Sequence, residues 1–223
     1  MKKTLILLLT LCMLITSVPV FAANTGEWST GKSTYSFVTP GQIKLFKKAT
    51  KGIGGVAYKP VALLAKQLVS GTNYIYLSYG TTVTLKPECS WYILSAYKNL
   101  DKKVSLNSIE KISIEDIKTS ENPRTGILDG GFYILPFKKN LSALPAKART
   151  AFRKATKTYS KYELSPIALL GKQVVAGTNY RILCYGSNSK TSDLFVVDIY
   201  EKPSGKSTVT SCKSFDLEAY VNN

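Results

Sequence analysis

Two stretches of this sequence carry residue types at a spacing that could do chemistry: "GEWSTGKS" at 26–33 and "KQVVAGTNY" at 172–180. The first satisfies the G-x-x-x-x-G-K-S spacing of a phosphate-binding loop. That loop works only with a strand ahead of it and a helix directly after it, so that backbone amides surround the phosphate. Here a predicted cleaved leader precedes it, and "TYSFVTPG" follows, strand-like and then Pro-Gly. The phosphate reading is set aside. "SGKS" at 204–207 lacks the first Gly and reads as a plain turn.

Other reactive side chains are sparse. The chain has no histidine. That removes Ser-His-Asp triads, Cys-His pairs and imidazole metal sites together. Cys12 falls in the leader, and Cys89, Cys184 and Cys212 show no close pair of the kind that holds zinc. No cofactor or metal is expected, and the chain does not read as an enzyme.

The first 22 residues, "MKKTLILLLTLCMLITSVPVFA", open on a Lys pair, continue as an apolar run and end with Val20 and Ala22 at small-residue positions. This pattern predicts a signal peptide over 1–22, cleavage near Ala22, a secreted protein and no transmembrane segment in the mature chain. The formal net charge is +16, and it is +14 without Lys2 and Lys3. Such a charge attracts anionic surfaces weakly. Only Arg124, Arg149, Arg153 and Arg181 are Arg, and the other cations are Lys. Specific nucleic-acid readout favours the guanidinium fork, so no specific nucleic acid is expected as a partner.

The second stretch is written twice. "KQLVSGTNY" stands at 66–74, and the register holds without a gap: "FKKATK" at 46–51 meets "FRKATK" at 152–157, and "PVALLAKQLVSGTNYIYLSYG" at 60–80 meets "PIALLGKQVVAGTNYRILCYG" at 166–186. Two copies predict two domains, 23–118 and 127–223, with the polar "TSENPRTG" at 119–126 as linker. Within each copy the patterning gives one helix and then a meander of strands. Thr39, Pro40 and Gln42 form a capping-box start, and Ile43, Phe46 and Ala49 share one face. "PIALLGKQVVA" and "TNYRILCY" read as a hairpin, "LFVVDIY" and "TVTSCKSF" as two further strands. The expected fold class is α+β: two tandem domains, each one α-helix packed across a four- to five-stranded antiparallel sheet.

Gln-x-Val-x-Gly between a helix and an aromatic strand resembles the cystatin family of papain-like cysteine protease inhibitors. "LDGG" at 128–131 and "IYEKPS" at 199–204 extend the resemblance to the family's N-terminal trunk and second hairpin. It implies a three-part edge that occludes a protease cleft: Leu128 and Gly130 in the trunk; Gln173, Val174, Val175, Ala176 and Gly177 in the first hairpin; Pro203 at the tip of the second. In the first copy the implied contacts are Gln67, Leu68, Val69, Ser70 and Gly71. Ser204 stands where the family usually has Trp, Asp129 stands in the trunk, and the family's two-disulfide pattern is absent. The expected function is a secreted, non-covalent, competitive inhibitor of papain-like cysteine proteases. The alternative is a non-inhibitory binding module of the same fold, with a basic surface for polyanions, cell-wall polymers or a protein partner.

Overall fold

The computed structural model describes residues 28–29, 38–119, 144–189 and 192–221. The predicted leader, most of "GEWSTGKS", all of the predicted linker but Thr119, and the trunk residues Leu128, Asp129 and Gly130 lie outside the described residues. The elements are β1 (Trp28–Ser29), α1 (Pro40–Ala49), β2 (Val56–Val69), β3 (Gly71–Thr82), β4 (Cys89–Asn99), β5 (Val104–Ile112), α2 (Ala146–Thr156), β6 (Glu163–Val175), β7 (Gly177–Ser187), β8 (Ser192–Glu201) and β9 (Ser207–Ser214). Two antiparallel sheets result, in strand order β1-β2-β3-β4-β5 and β6-β7-β8-β9.

Helix α1 begins as its sequence dictates. Gln42 N–H donates to Thr39 Oγ1 at 3.3 Å and Thr39 N–H to Gln42 Oε1 at 2.7 Å, so two orphan donors are satisfied reciprocally. Leu45, Phe46 and Ala49 are its buried face. They pack on Leu63, Tyr76, Leu94 and Ala96 of the first sheet. In α2, Ala148, Ala151, Phe152 and Ala155 pack likewise on Leu169, Tyr180, Ile182 and Val197.

The expected α+β class of two tandem helix-across-sheet domains is overturned. Among the described residues strand (55%) far outweighs helix (15%), and the fold is mostly β. The physical reason lies in the long strands. Val61–Ala65 are five consecutive buried residues, and so are Ile167–Gly171. A helix covers one face of a sheet, and these runs need cover on both. The other sheet supplies it. Val61, Leu64, Ile75, Leu77, Trp91 and Ile93 share one apolar core with Ile167, Leu170, Leu183, Tyr185, Leu194 and Val196. The layers are therefore helix, sheet, sheet, helix.

Two register shifts in each long strand make this core. In β2 they fall between Pro60 and Ala62 and between Leu63 and Ala65; in β6, between Pro166 and Ala168 and between Leu169 and Gly171. Strict alternation would divide Val61, Ala62, Leu64 and Ala65 between the two faces. Bulges re-aim side chains, and all four join the inter-sheet core. Polar contacts cross the same boundary. Trp91 Nε1 donates to the Leu170 carbonyl at 2.8 Å, and Arg181 Nη1 to that of Ile114 at 2.5 Å. Arg181 also holds Asp198 in a bidentate pair at 2.7 and 3.0 Å.

Cys89, Cys184 and Cys212 form no disulfide among the described residues. Strand β8 separates Cys184 from Cys212. Burial pushes the Cys184 thiol well up, with Cys212 adding to the rise. Cys184 is therefore expected to react with a thiol reagent only on unfolding, while half-buried Cys89 and Cys212 react first; mass spectrometry of the labelled native protein checks the order. Because one core joins the sheets, near- and far-ultraviolet circular dichroism should report one shared unfolding transition. Trp91→Ala should lower that transition as a whole, by about 3–5 kcal/mol. Two resolved transitions, with only one moved, would contradict the shared core.

Candidate functional site

The quoted phrase closes the hairpin between β6 and β7, and its first-copy counterpart closes the one between β2 and β3. Val175 pairs with Gly177 and Gln173 with Asn179 in register; Val69 pairs with Gly71 and Gln67 with Asn73. The chain turns at Ala176 and at Ser70.

Gln173 is fully buried. Its Oε1 accepts from Asn179 Nδ2 at 2.6 Å, and Gln67 Oε1 accepts from Asn73 Nδ2 at 2.7 Å. The Gln of the motif is thus a cross-strand tie within the hairpin, and the Asn two residues past the Gly is its partner.

Gly177 also faces inward. Its φ is +141°, and a Cβ there would lie 2.5 Å from the Glu201 carbonyl oxygen and 2.7 Å from the Tyr200 ring. Gly71 repeats this, with φ +137° and a Cβ position 2.5 Å from the Lys98 carbonyl and 2.7 Å from the Tyr97 ring. Each tyrosine crosses the glycine and donates its hydroxyl to the turn: Tyr200 to the Ala176 carbonyl at 2.7 Å, and Tyr97 to the Ser70 carbonyl. As part of the implied docking edge, Gly177 would approach a partner's surface closely. The structure gives that close approach to the chain's own next strand.

Those tyrosines were missed, although the sequence marks both. Each stands on the strand leading to the second hairpin, in "AYKNL" and in "IYEKP". The two second hairpins share one turn. Lys202 N–H donates to Lys206 O with Gly205 at φ +79°, and Asn99 N–H to Lys103 O with Lys102 at φ +64°. Leu100 and Pro203 accordingly occupy matching places, and both are exposed. Gly177, Thr178, Glu201, Pro203 and Gly205 line an open groove with Ala146, Lys147 and Thr150 of α2. Gly177, beside the first turn, and Pro203, in the second, thus line the same groove.

What remains outside is apolar. Val174 is 58% exposed and Val175 40%; Leu68 is 48% exposed and Val69 37%. Ala176 and Ser70 are exposed with them. The tips can offer hydrocarbon and main-chain groups, and the first also the Ser70 hydroxyl. Among the described residues no group of three or more His, Cys, Asp or Glu could hold a metal ion. No helix there is long and apolar enough to cross a membrane. No protein-family model and no curated protein matches the chain.

Interior and exterior positions of the motif should separate in urea unfolding. Gly177→Ala should cost about 1–3 kcal/mol through strain at positive φ and the clash with Glu201. Asn179→Ala strips a fully buried amide of its partner and should cost about 1–3 kcal/mol. Val175→Ser, on the exposed tip, should stay within about 0.5 kcal/mol. Equal costs at all three positions would refute the division.

Proposed function

We propose that the chain is a secreted, non-covalent, competitive inhibitor of papain-like cysteine proteases, and that the β6–β7 hairpin tip is its principal contact. The observation that carries this reading is the exposure of Val174 and Val175 on a backbone fixed from behind by Tyr200 and by the Gln173–Asn179 tie. Exposed apolar side chains on a pre-ordered turn dock with little loss of conformational entropy. A protease cleft with apolar walls rewards such a tip, and occlusion needs no catalytic group. The motif's resemblance to the cystatin first hairpin supports the same target. The mostly-β fold adds no support, so the reading stands on the tip.

The interior duties of Gln173 and Gly177 favour a second reading, a binding module without inhibition, because they account for two of the repeated residues without any protease. Titration of papain separates the two readings. The parent chain should inhibit, and Val175→Asp should weaken inhibition by roughly tenfold to a hundredfold, at 1.4 kcal/mol per tenfold. A carboxylate forced into an apolar pocket is the cause of that loss. Leu85→Asp, at a fully exposed leucine away from the tips, should change nothing. A parent that leaves papain untouched, or a Val175→Asp chain that inhibits as well as the parent, would remove the inhibitor reading.

A further inference from the structure

We propose that the outer faces of α1 and α2 are two separate docking faces for a linear polyanion, making the chain a bivalent cross-linker of such polymers. Lys47 and Lys48 of α1, with Lys51 just past its end, recur in the second copy as Arg153 and Lys154 of α2, with Lys157 just past its end. All six are exposed, whereas the opposite side of each helix is buried in its sheet. Neither helix contains an acidic residue. None of the six forms an ion pair among the described residues; Lys118–Glu110 and Arg181–Asp198 do. Lys154 donates to the Gly205 carbonyl at 3.0 Å, which leaves its charge uncompensated and two of its protons available.

Fold geometry turns two patches into bivalency. The sheets share the core between them, and each helix lies on the far side of its own sheet. Layers about 10 Å apart put the two helices roughly 30 Å from each other, so no small anion spans both. A long polymer, or two polymers, can engage both. Lysine heads on flexible stems suit repeating anionic groups without fixed geometry. A membrane surface fits less well: an interfacial helix inserts an apolar face, and here that face is already covered. Among the described residues the exposed large apolar side chains, Leu85 and Val174 among them, all lie off the helices. Nucleic acid would ask for stacking aromatics, and neither helix exposes one.

Long-chain inorganic polyphosphate serves as the probe, with tripolyphosphate and anionic phosphatidylglycerol vesicles as further arms. With the full chain, light scattering should rise with added polyphosphate and fall again when polymer is in excess, as bivalent bridging requires. Tripolyphosphate should produce no scattering. Lys47→Gln/Lys48→Gln/Lys51→Gln should still bind but no longer bridge, and its plot of log affinity against log salt should flatten by about 2, at about 0.7 per lost contact. Arg153→Gln/Lys154→Gln/Lys157→Gln should behave alike. The six-fold variant should lose at least tenfold in affinity. Glutamine keeps helix propensity close to that of lysine, and Lys47→Arg/Lys48→Arg/Lys51→Arg should bridge like the parent. Papain inhibition is read on the same variants and should not move, so failure of either proposal is visible without the other. Bridging by a one-face variant, parent-like binding by the six-fold variant, loss of binding in the arginine variant, or parent binding to vesicles more tightly than to polyphosphate would each overturn the proposal.

Discussion

Five consecutive apolar residues in each long strand, Val61–Ala65 and Ile167–Gly171, set the constraint from which the architecture follows. A strand buried on one face alternates; a strand buried along an unbroken run must be covered twice. One helix per sheet covers once. The second cover has to be another sheet with the same need, and the internal repeat supplies it. Bulges at matching places in β2 and β6 then aim four of the five residues of the first run, and three of the five of the second, into the common core. Burying a Leu or Ile side chain contributes about 1.5–3 kcal/mol, and the inter-sheet core gathers such residues from both copies. Trp91 and Arg181 close the same boundary through buried hydrogen bonds, where an unmade bond would be costly.

The same long strands that meet in the core run on to the hairpin tips. At that end the pattern changes. Burial stops at Gly171 and resumes only at Gln173, after which the chain is exposed through Ala176. A protruding two-stranded ladder would be marginal by itself. Here the adjacent strand steadies it: Tyr200 and Tyr97 reach from β8 and β4 to the turn carbonyls, and glycine leaves room for their rings. The tip is thereby rigid for reasons internal to the fold, and rigidity is what makes its exposed valines usable for docking.

Local rules made part of this legible from the residues. The capping box at Thr39 and Gln42, the meander order and both first hairpins follow from short-range spacing, and the structure has them; of the α1 stripe it buries Phe46 and Ala49, with Leu45 in the place expected of half-buried Ile43. The mutual cover of the two sheets does not follow from spacing, because bulges break the period of two and nothing local marks Val61 or Leu64 as an extra residue. One helix beside one meander suggests two units that each cover themselves; the five-residue runs in "VALLA" and "IALLG" need cover on the other face as well. The roles of Gln173 and Gly177 were hidden for a related reason. A motif read as a contact surface looks the same in sequence as a motif that ties a hairpin together, and only the positions of Asn179 and Tyr200 separate them.

Comparison of the copies sharpens that separation. Gln67/Gln173, Gly71/Gly177 and Asn73/Asn179 are identical, and each has an interior duty that explains it: a cross-strand amide bond or space for a tyrosine ring. Exposed neighbours drift, Leu68 against Val174 and Ser70 against Ala176. Val69 and Val175 break this rule. They are identical, well exposed at 37% and 40%, and without a place in any of the three apolar cores. Strand propensity favours a β-branched residue there, but it favours isoleucine and threonine as well. An apolar residue repeated and left exposed on a braced turn is therefore better explained by contact with a partner than by the fold. By this argument Val175, rather than the glycine or glutamine beside it, is the residue on which binding at the hairpin depends.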